Sequence, residues 1–320
     1  MLNKLKYRIK LLPPLLLMVL LICFADEAKA ACIEALQLCG RLIVPSLFPF
    51  FVLSAFLTRL GLPGILGKLI APFFCRIYGI SPAGASALVL GFIGGYPAGA
   101  NYIADLETNS VIDGSEAERL IAFCNNSGPA FIIGVMGNAI FSSVQTGLRL
   151  YAIHVASALL TGLFFRQEHY SRHAQPHMLD TVKTGDALVD SVKQSVSTII
   201  NVCGFVVSFS VLVSMADSCG LFHVLCRYAS LLSGLDIDFI KAAIVGFMEL
   251  GSGAAAMTGF APSPLNLALA AGMLSWGGLS VHFQTVAVLS ESKIKGTLHL
   301  TGRLISSCIA FVLMFVLSIF

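Results

Sequence analysis

The chain has 320 residues, of which 57% are hydrophobic and only 12% are charged, against about 25% charged in an ordinary soluble domain. Mean hydropathy is +0.86, and the formal net charge of +3 comes without any basic, aromatic-rich stretch. A soluble globular domain and a nucleic-acid binder are both excluded, and the composition is that of a polytopic membrane protein.

Lys4, Lys6, Arg8 and Lys10 precede an apolar run from Leu11 to Ala25. Ala28-Lys29-Ala30 has the small-residue form of a signal-peptidase site. Asp26, Glu27 and Lys29 crowd that site and Pro13-Pro14 interrupts the apolar run, so we read residues 1–26 as a retained anchor, with cleavage as the alternative. An amphipathic stretch follows at 27–41, then an apolar span at 43–58 that contains Pro45 and Pro49. Residues 59–80 carry Arg59, Lys68 and Arg76 among glycines and prolines. Ser81 reads as a helix cap and Pro82 suits the first helical turn, where its missing N–H is harmless. The helix that starts there runs into Gly94-Gly95-Tyr96-Pro97-Ala98-Gly99 and is expected to cross the membrane as a broken helix.

The acidic stretch from Asp105 to Glu118 contains Ser115-x-x-Glu118, a capping box that opens a helix near residue 116. That helix ends at Asn125-Asn126-Ser127-Gly128-Pro129, and apolar chain resumes at Phe131. A polar break between two short apolar helices predicts a re-entrant hairpin. A span at 147–165 closes the first half. Residues 166–193 form a hydrophilic linker, in which His169, His173 and His177 recur every four residues. Pro176 argues against the helix that would stack them, so no metal site is expected. The second half repeats the plan: a span at 198–216, a glycine-rich turn, a broken helix from 239, a hairpin around Gly277-Gly278 and a span at 297–319. The expected units are therefore an anchor (1–26), a first repeat (27–166), a cytoplasmic linker (167–193) and a second repeat (194–320).

The repetition is specific. Gly79, Ser81 and Gly94 are matched by Gly234, Asp236 and Glu249, a constant 155 positions later. In both copies a capped apolar helix runs into glycines, and Gly251, Ser252 and Gly253 follow Glu249. Bilayer interiors tolerate broken backbone only where it is buried or lines a cavity. Paired breaks in two halves of a chain point to a transporter binding site. Lys and Arg bias puts the N-terminus and the linker in the cytoplasm. With seven crossings it puts the 105–118 stretch outside, Lys293 and Lys295 inside and Phe320 outside, which makes the repeats inverted. The fold class is thus all-α, with two inverted repeats, broken transmembrane helices and re-entrant hairpins.

Candidate solute-binding residues follow from the breaks. Gly94, Gly95, Pro97 and Gly99 free backbone groups beside the Tyr96 phenol, although close helix packing through small residues is the plain alternative. Asn125, Asn126 and Ser127 offer neutral donors and acceptors. Glu249, with Gly251 and Ser252, places an ionisable group in mid-crossing, a functional-site hypothesis by default, with a structural ion pair as its rival. Gly277, Gly278 and Gln284 are the second-half counterparts of the Asn-Asn-Ser break. His154 and Arg303 lie on the closing spans, and a structural role suits them at least as well as a cavity-facing one. Nine cysteines form no CxxC pair, so neither a disulfide framework nor zinc is expected. No nucleophile elbow, HExxH helix or Walker loop is present, and neither a catalytic residue nor a cofactor is expected.

At these residues the sequence resembles a known family. Phe50-Phe51, Gly91 to Ala100, Glu116-Ala117-Glu118-Arg119-Leu120 and Asn125 to Pro129 are similar to the nucleoside-recognition (Gate) domain. They resemble most closely the sporulation integral membrane proteins of the YlbJ type, from about residue 30 onward. The resemblance implies an endospore-forming bacterium, a role in spore or cortex formation, and transport as the general theme; in a transporter of a small polar solute, Glu249 would bind a coupling cation or a donor group of the solute. Ala98 and Asn101 depart from the bulkier or basic residues expected in relatives, so the first break would read its ligand differently. Two functions stand at this point. One is a transporter or permease-like protein for a small polar solute, with a nucleoside-like one among the options. The other is a non-transporting membrane protein that assembles with itself or with other spore membrane proteins.

Overall fold

The structure is a computed structural model that describes residues 2–167, 183–290 and 292–319, with side chains from residue 11 onward. His169, His173 and His177 lie outside the described residues. All regular structure among the described residues is helical, the one solution besides a closed barrel that satisfies every backbone group in lipid.

Helix α1 (Leu2–Cys23) precedes two series of seven elements each. The first is α2 (Ala25–Arg59), α3 (Leu62–Tyr78), α4 (Pro82–Gly94), α5 (Ala98–Thr108), α6 (Gly114–Cys124), the π-helical α7 (Ala130–Ile140) and α8 (Val144–Phe164). The second is α9 (Thr184–Ser218), α10 (Leu221–Ser233), α11 (Ile237–Met248), α12 (Leu250–Ala256), α13 (Pro264–Trp276), α14 (Gly278–Leu289) and α15 (Thr297–Ile319). Each series opens with a 35-residue helix, and each second element, α3 or α10, sits between two left-handed glycines.

The amphipathic stretch at 27–41 and the span at 43–58 prove to be one continuous helix. Its π turn, Cys39–Ile43, lies just ahead of Pro45, whose ring and missing N–H do not fit an ordinary α turn. Helix α9 likewise starts at Thr184, so the last ten residues read as linker are helical. The Ser81 and Asp236 caps are formed: the Ser81 hydroxyl accepts the Gly84 N–H at 3.1 Å and the Asp236 carboxylate that of Asp238 at 2.7 Å. The cap of α6 is Asp113, not Ser115. Its carboxylate accepts the Glu116 N–H at 2.7 Å, two residues earlier than the capping box placed it.

The crossing expected at 82–99 and the hairpin expected at 125–129 are exchanged. Gly91 and Gly99 flank the first break, and a Cβ on Gly99 would stand 3.2 Å from Gly91 Cα. An uninterrupted helix would hold residues eight apart at about 12 Å. The chain therefore doubles back, and α4–α5 is a re-entrant hairpin. In the second series Gly253 packs directly on the Gly246 backbone, which makes α11–α12 the matching hairpin. Arms of 13 and 12 residues reach only about 20 Å, short of the roughly 30 Å hydrocarbon core, so neither crosses the bilayer by itself.

Helices α6 and α7, by contrast, run on along α8. Arg119 Nη1 donates to the Phe165 carbonyl at 3.4 Å, the Ser127 N–H to His154 Nε2 at 3.2 Å, and Gly137 packs on Gly147. These pairings descend α8 from one end to the other, so α6–α7 is a crossing broken at Asn125–Pro129. Its counterpart α13–α14 forms a 26-residue candidate span, Pro264–Leu289, interrupted at Gly277 rather than folded back there.

A hairpin returns to the end it left, which corrects one sidedness expectation. The Ser81 N–H donates to Glu116 Oε1 at 2.6 Å, joining the base of the first hairpin to the start of α6. At that same end Lys293 N–H donates to Glu107 Oε2 at 3.2 Å, and the Lys295 and Gly296 N–H groups donate to Glu118 Oε1. The acidic 105–118 stretch thus shares a face with Lys293 and Lys295 instead of opposing them. Single cysteines placed at Asn109 and at Lys295 in a cysteine-free background are expected to react with an impermeant thiol reagent from the same side. Labelling from opposite sides would restore the crossing at 82–99.

Candidate functional site

The four discontinuities of the fold converge. At the tip of the first hairpin Gly95 adopts φ +72°, and a Cβ there would stand 2.8 Å from the Gly128 backbone in the α6–α7 break. Tyr96, on the same tip, lies against Gly277 in the α13–α14 break, where a Cβ would meet its hydroxyl at 3.0 Å. Gly278 in turn accepts the second tip, with Leu250 N 2.9 Å and Glu249 Cα 3.2 Å from its own Cβ position. Gly277 and Gly278 both have left-handed φ (+88° and +84°), a conformation that glycine takes without steric cost. Side chains at these places would hold the broken ends apart.

Three polar residues knit the α6–α7 break. Asn125 Oδ1 accepts the Ala100 N–H at 3.3 Å, and its amide nitrogen donates to Thr285 Oγ1 at 3.0 Å. Asn126 donates to the Phe123 carbonyl at 2.8 Å. Ser127 donates its hydroxyl to the Leu274 carbonyl at 3.1 Å and its N–H to His154 Nε2. Since Nε2 accepts, the His154 proton sits on Nδ1, which donates to Ser275 Oγ at 2.9 Å. Ser275 is close to Ser157, and Ser157 to Ser306, so the polar chain continues to α15.

Arg303 of α15 is completely buried. Its Nη1 donates to Tyr96 Oη, to the Asn125 carbonyl and to Asn126 Oδ1, each at 3.0 Å. This side chain ties the first hairpin tip and the α6–α7 break to the end of the other series. It is the only charged residue of α15, and a lone charge in an apolar span is the signal that marks it in the sequence.

Glu249 is 2% exposed and works as a helix cap. Its two carboxylate oxygens accept the N–H groups of Gly251, at 2.9 Å, and Ser252, the first turn of α12. The Ser252 hydroxyl pairs with that of Ser210 at 2.8 Å.

Two cavities flank the tips. The inner one, about 60 Å³, is lined on its polar side by Tyr96, Ser127, Glu249 and Gln284, with Gly94, Gly95 and Gly251. Its apolar side includes Phe50, Phe51 and Phe131. The outer one, about 300 Å³, opens between α2, the first hairpin and α9, with Pro97, Asn101, Asp105 and Gln194 in its wall. Phe51 and Gly94 line both. Of the residues singled out in the sequence, Gly94, Gly95, Tyr96, Ser127, Glu249, Gly251 and Gln284 meet at the inner cavity and Pro97 at the outer. Gly99, Asn125, Asn126, Ser252, Gly277 and Gly278 stand behind them as support. Sequence reasoning did not single out Thr285, Ser275 or Phe131, whose residue types are ordinary in any apolar helix, and it marked Phe50-Phe51 as a family motif without making them cavity lining.

Residues 40–146 match the Gate family, described as nucleoside recognition. Over 307 residues the chain is 30% identical to the sporulation integral membrane protein YlbJ of Bacillus subtilis (strain 168), covering 88% of this chain and 75% of that one. The chain belongs to the YlbJ family. Its fold is similar to solved structures of CNTnw in an outward-facing state (TM-score 0.59, 16% identity, 99% of this chain and 85% of that chain). The similarity to CNTnw in an inward-facing substrate-bound state is the same in kind (TM-score 0.58, 15% identity, 99% and 86%). At such identities the likeness is one of fold, and its near equality for two states assigns neither to this YlbJ-family chain. The sequence resemblance at Gly91 to Ala100 and Asn125 to Pro129 falls inside the matched Gate segment.

Gly95→Ala is expected to destabilise this YlbJ-family protein by roughly 1–3 kcal/mol, because the new Cβ meets Gly128 backbone in a left-handed conformation. Gly204→Ala, on α9 with nothing within 4 Å of its Cβ position, is expected to be neutral or stabilising by up to about 1 kcal/mol. Thermal unfolding of both variants in the same detergent checks the contrast.

Proposed function

We propose that this sporulation membrane protein, with its nucleoside-transporter-like fold, binds and moves a small polar solute of nucleoside-like chemistry through the cavity where the four breaks meet. The observation that carries this reading is the division of that cavity into an aromatic wall and a polar edge. Phe50, Phe51 and Phe131 offer flat apolar surface to a heterocycle, while Gln284, Tyr96 and Ser127 offer neutral donors and acceptors to its rim. In the conformation described the inner cavity is narrow beside the roughly 300–1,000 Å³ of an ordinary ligand pocket. Binding then requires the hairpin tips to part, and the outer cavity that shares Phe51 and Gly94 is the route of entry.

The two series are related, in this reading, as inverted repeats. The base of the first hairpin lies at the end of the molecule where Arg59 contacts Gln194 near the start of α9. The second hairpin is pinned near the far end of that helix by the Lys241–Asp217 ion pair at 3.0 Å. The first end also carries Arg76, in the last turn of α3 just before Ser81, and Lys293 and Lys295, so the Lys and Arg rule makes it cytoplasmic. The outer cavity accordingly faces the cytoplasm. Reporter fusions at residue 180 and after Phe320 are expected on opposite sides of the membrane, inside and outside respectively. Both on one side would break the inversion.

A panel of nucleosides and related heterocycles, screened by thermal shift on the purified full chain, tests the solute reading. A ligand at a hundredfold excess over its Kd is expected to add about 2.7 kcal/mol of stability, and Gln284→Ala is expected to weaken it at least tenfold, as loss of a buried hydrogen-bonding group does. No stabilisation by any member, with sporulation unaffected by Gln284→Ala, would leave the interaction role as the surviving function.

A further inference from the structure

The guanidinium of Arg303 occupies a place built from neutral oxygens. One nitrogen, Nη1, has two N–H groups yet faces three acceptors at 3.0 Å: a phenol, a main-chain carbonyl and an amide oxygen. The remaining Nε and Nη2 atoms are buried with no hydrogen-bond partner among the described residues. No carboxylate neutralises the charge, since the one ion pair among those residues is Lys241–Asp217 at the periphery. Glu249, the acidic member of the inner cavity, spends both oxygens on main-chain N–H groups. A full positive charge is thus held inside the fold by dipoles alone. Carbonyl oxygens freed by a helix break are the means by which broken membrane helices hold monovalent ions.

We propose that Tyr96 Oη, the Asn125 carbonyl and Asn126 Oδ1 form a monovalent-cation cage, and that Arg303 is the cation, tethered to the chain. Three consequences follow. The cage needs no dissolved sodium or potassium ion to be occupied. Solute movement at the neighbouring cavity runs without a monovalent-cation gradient. The first hairpin tip, which contributes Tyr96, moves away from the α6–α7 break only as its bond to Arg303 yields. Arg303 is a positioning residue here, because it does not line either cavity. The inference rests on the solute reading only for what the cage adjoins, and its test uses salts alone, so that failure of one is distinguishable from failure of the other.

The experiment compares thermal unfolding of the full chain in choline, sodium and potassium chloride at equal ionic strength. The wild-type midpoint is expected to be the same in all three. Arg303→Ala empties the cage, and its midpoint in choline is expected to fall by about 5 °C or more, with part of that loss recovered saturably in sodium or potassium. Arg303→Lys keeps a tethered charge and is expected to remain indifferent to the salt. Recovery specific to one cation is a response that mere loss of packing does not produce. A wild-type midpoint that rises in sodium or potassium, or a folded Arg303→Ala protein that neither ion restores, overturns the proposal. If Arg303→Ala does not accumulate, Tyr96→Phe decides: it removes one cage oxygen and keeps the ring. A lowered midpoint that is equal in the three salts supports a resident charge. A midpoint that depends on sodium or potassium overturns it.

Discussion

Every backbone break inside a bilayer leaves N–H and C=O groups that lipid cannot satisfy, each costing several kcal/mol if abandoned. Among the described residues there are four such breaks, and the fold deals with them by bringing them to one place. Gly95 lies on Gly128, Tyr96 on Gly277, and Leu250 with Glu249 on Gly278. The freed groups then find partners in one another's neighbourhood: Asn125 bonds Ala100, Arg303 bonds Asn125, and Glu249 caps its own hairpin arm. The cavities, the buried charge and the glycine contacts all follow from that convergence.

The two hairpin tips solve the same problem differently. The second carries its own acceptor, because Glu249 stands where the first copy has Gly94, and its carboxylate covers the start of α12. The first has no side-chain cap at the start of α5, and its stability is supplied from outside by Arg303 and Asn125. One tip is closed within itself and the other is held by its neighbours. A duplicated fold has thereby acquired unequal halves.

Much of this was legible in the sequence. Ser81 and Asp236 stood out as caps because a short polar residue before an apolar run has one use there. The breaks stood out because glycine and proline disrupt a helix whatever surrounds them. Whether the chain turns back at a break was not legible from the break itself. That depends on whether the arms can touch, and the pairs Gly91 with Gly99 and Gly246 with Gly253 provide the contact. Small residues seven or eight positions apart across a break are a usable sign of a hairpin, whereas arm length is not, since the arms of the two crossings are equally short. The site was legible as a set of residue types, but the sequence could not divide it into cavity lining and support. Arg303 was visible as a lone charge in an apolar helix, yet what it holds lies in another part of the chain, 177 to 207 positions away.

The clasp between the halves bears on how the protein is made. Glu107 and Glu118 of the first series await the main-chain N–H groups of residues 293–296, and Asn126 awaits Arg303. All of these emerge from the ribosome long after the residues they satisfy. Until α15 arrives, the Asn126 amide oxygen, buried at the α6–α7 break, lacks its bond from Arg303, and Glu107 and Glu118 at the helix ends lack their main-chain donors. The first series of helices is thus completed only by the last, and synthesis of α15 closes the hydrogen bonding of both.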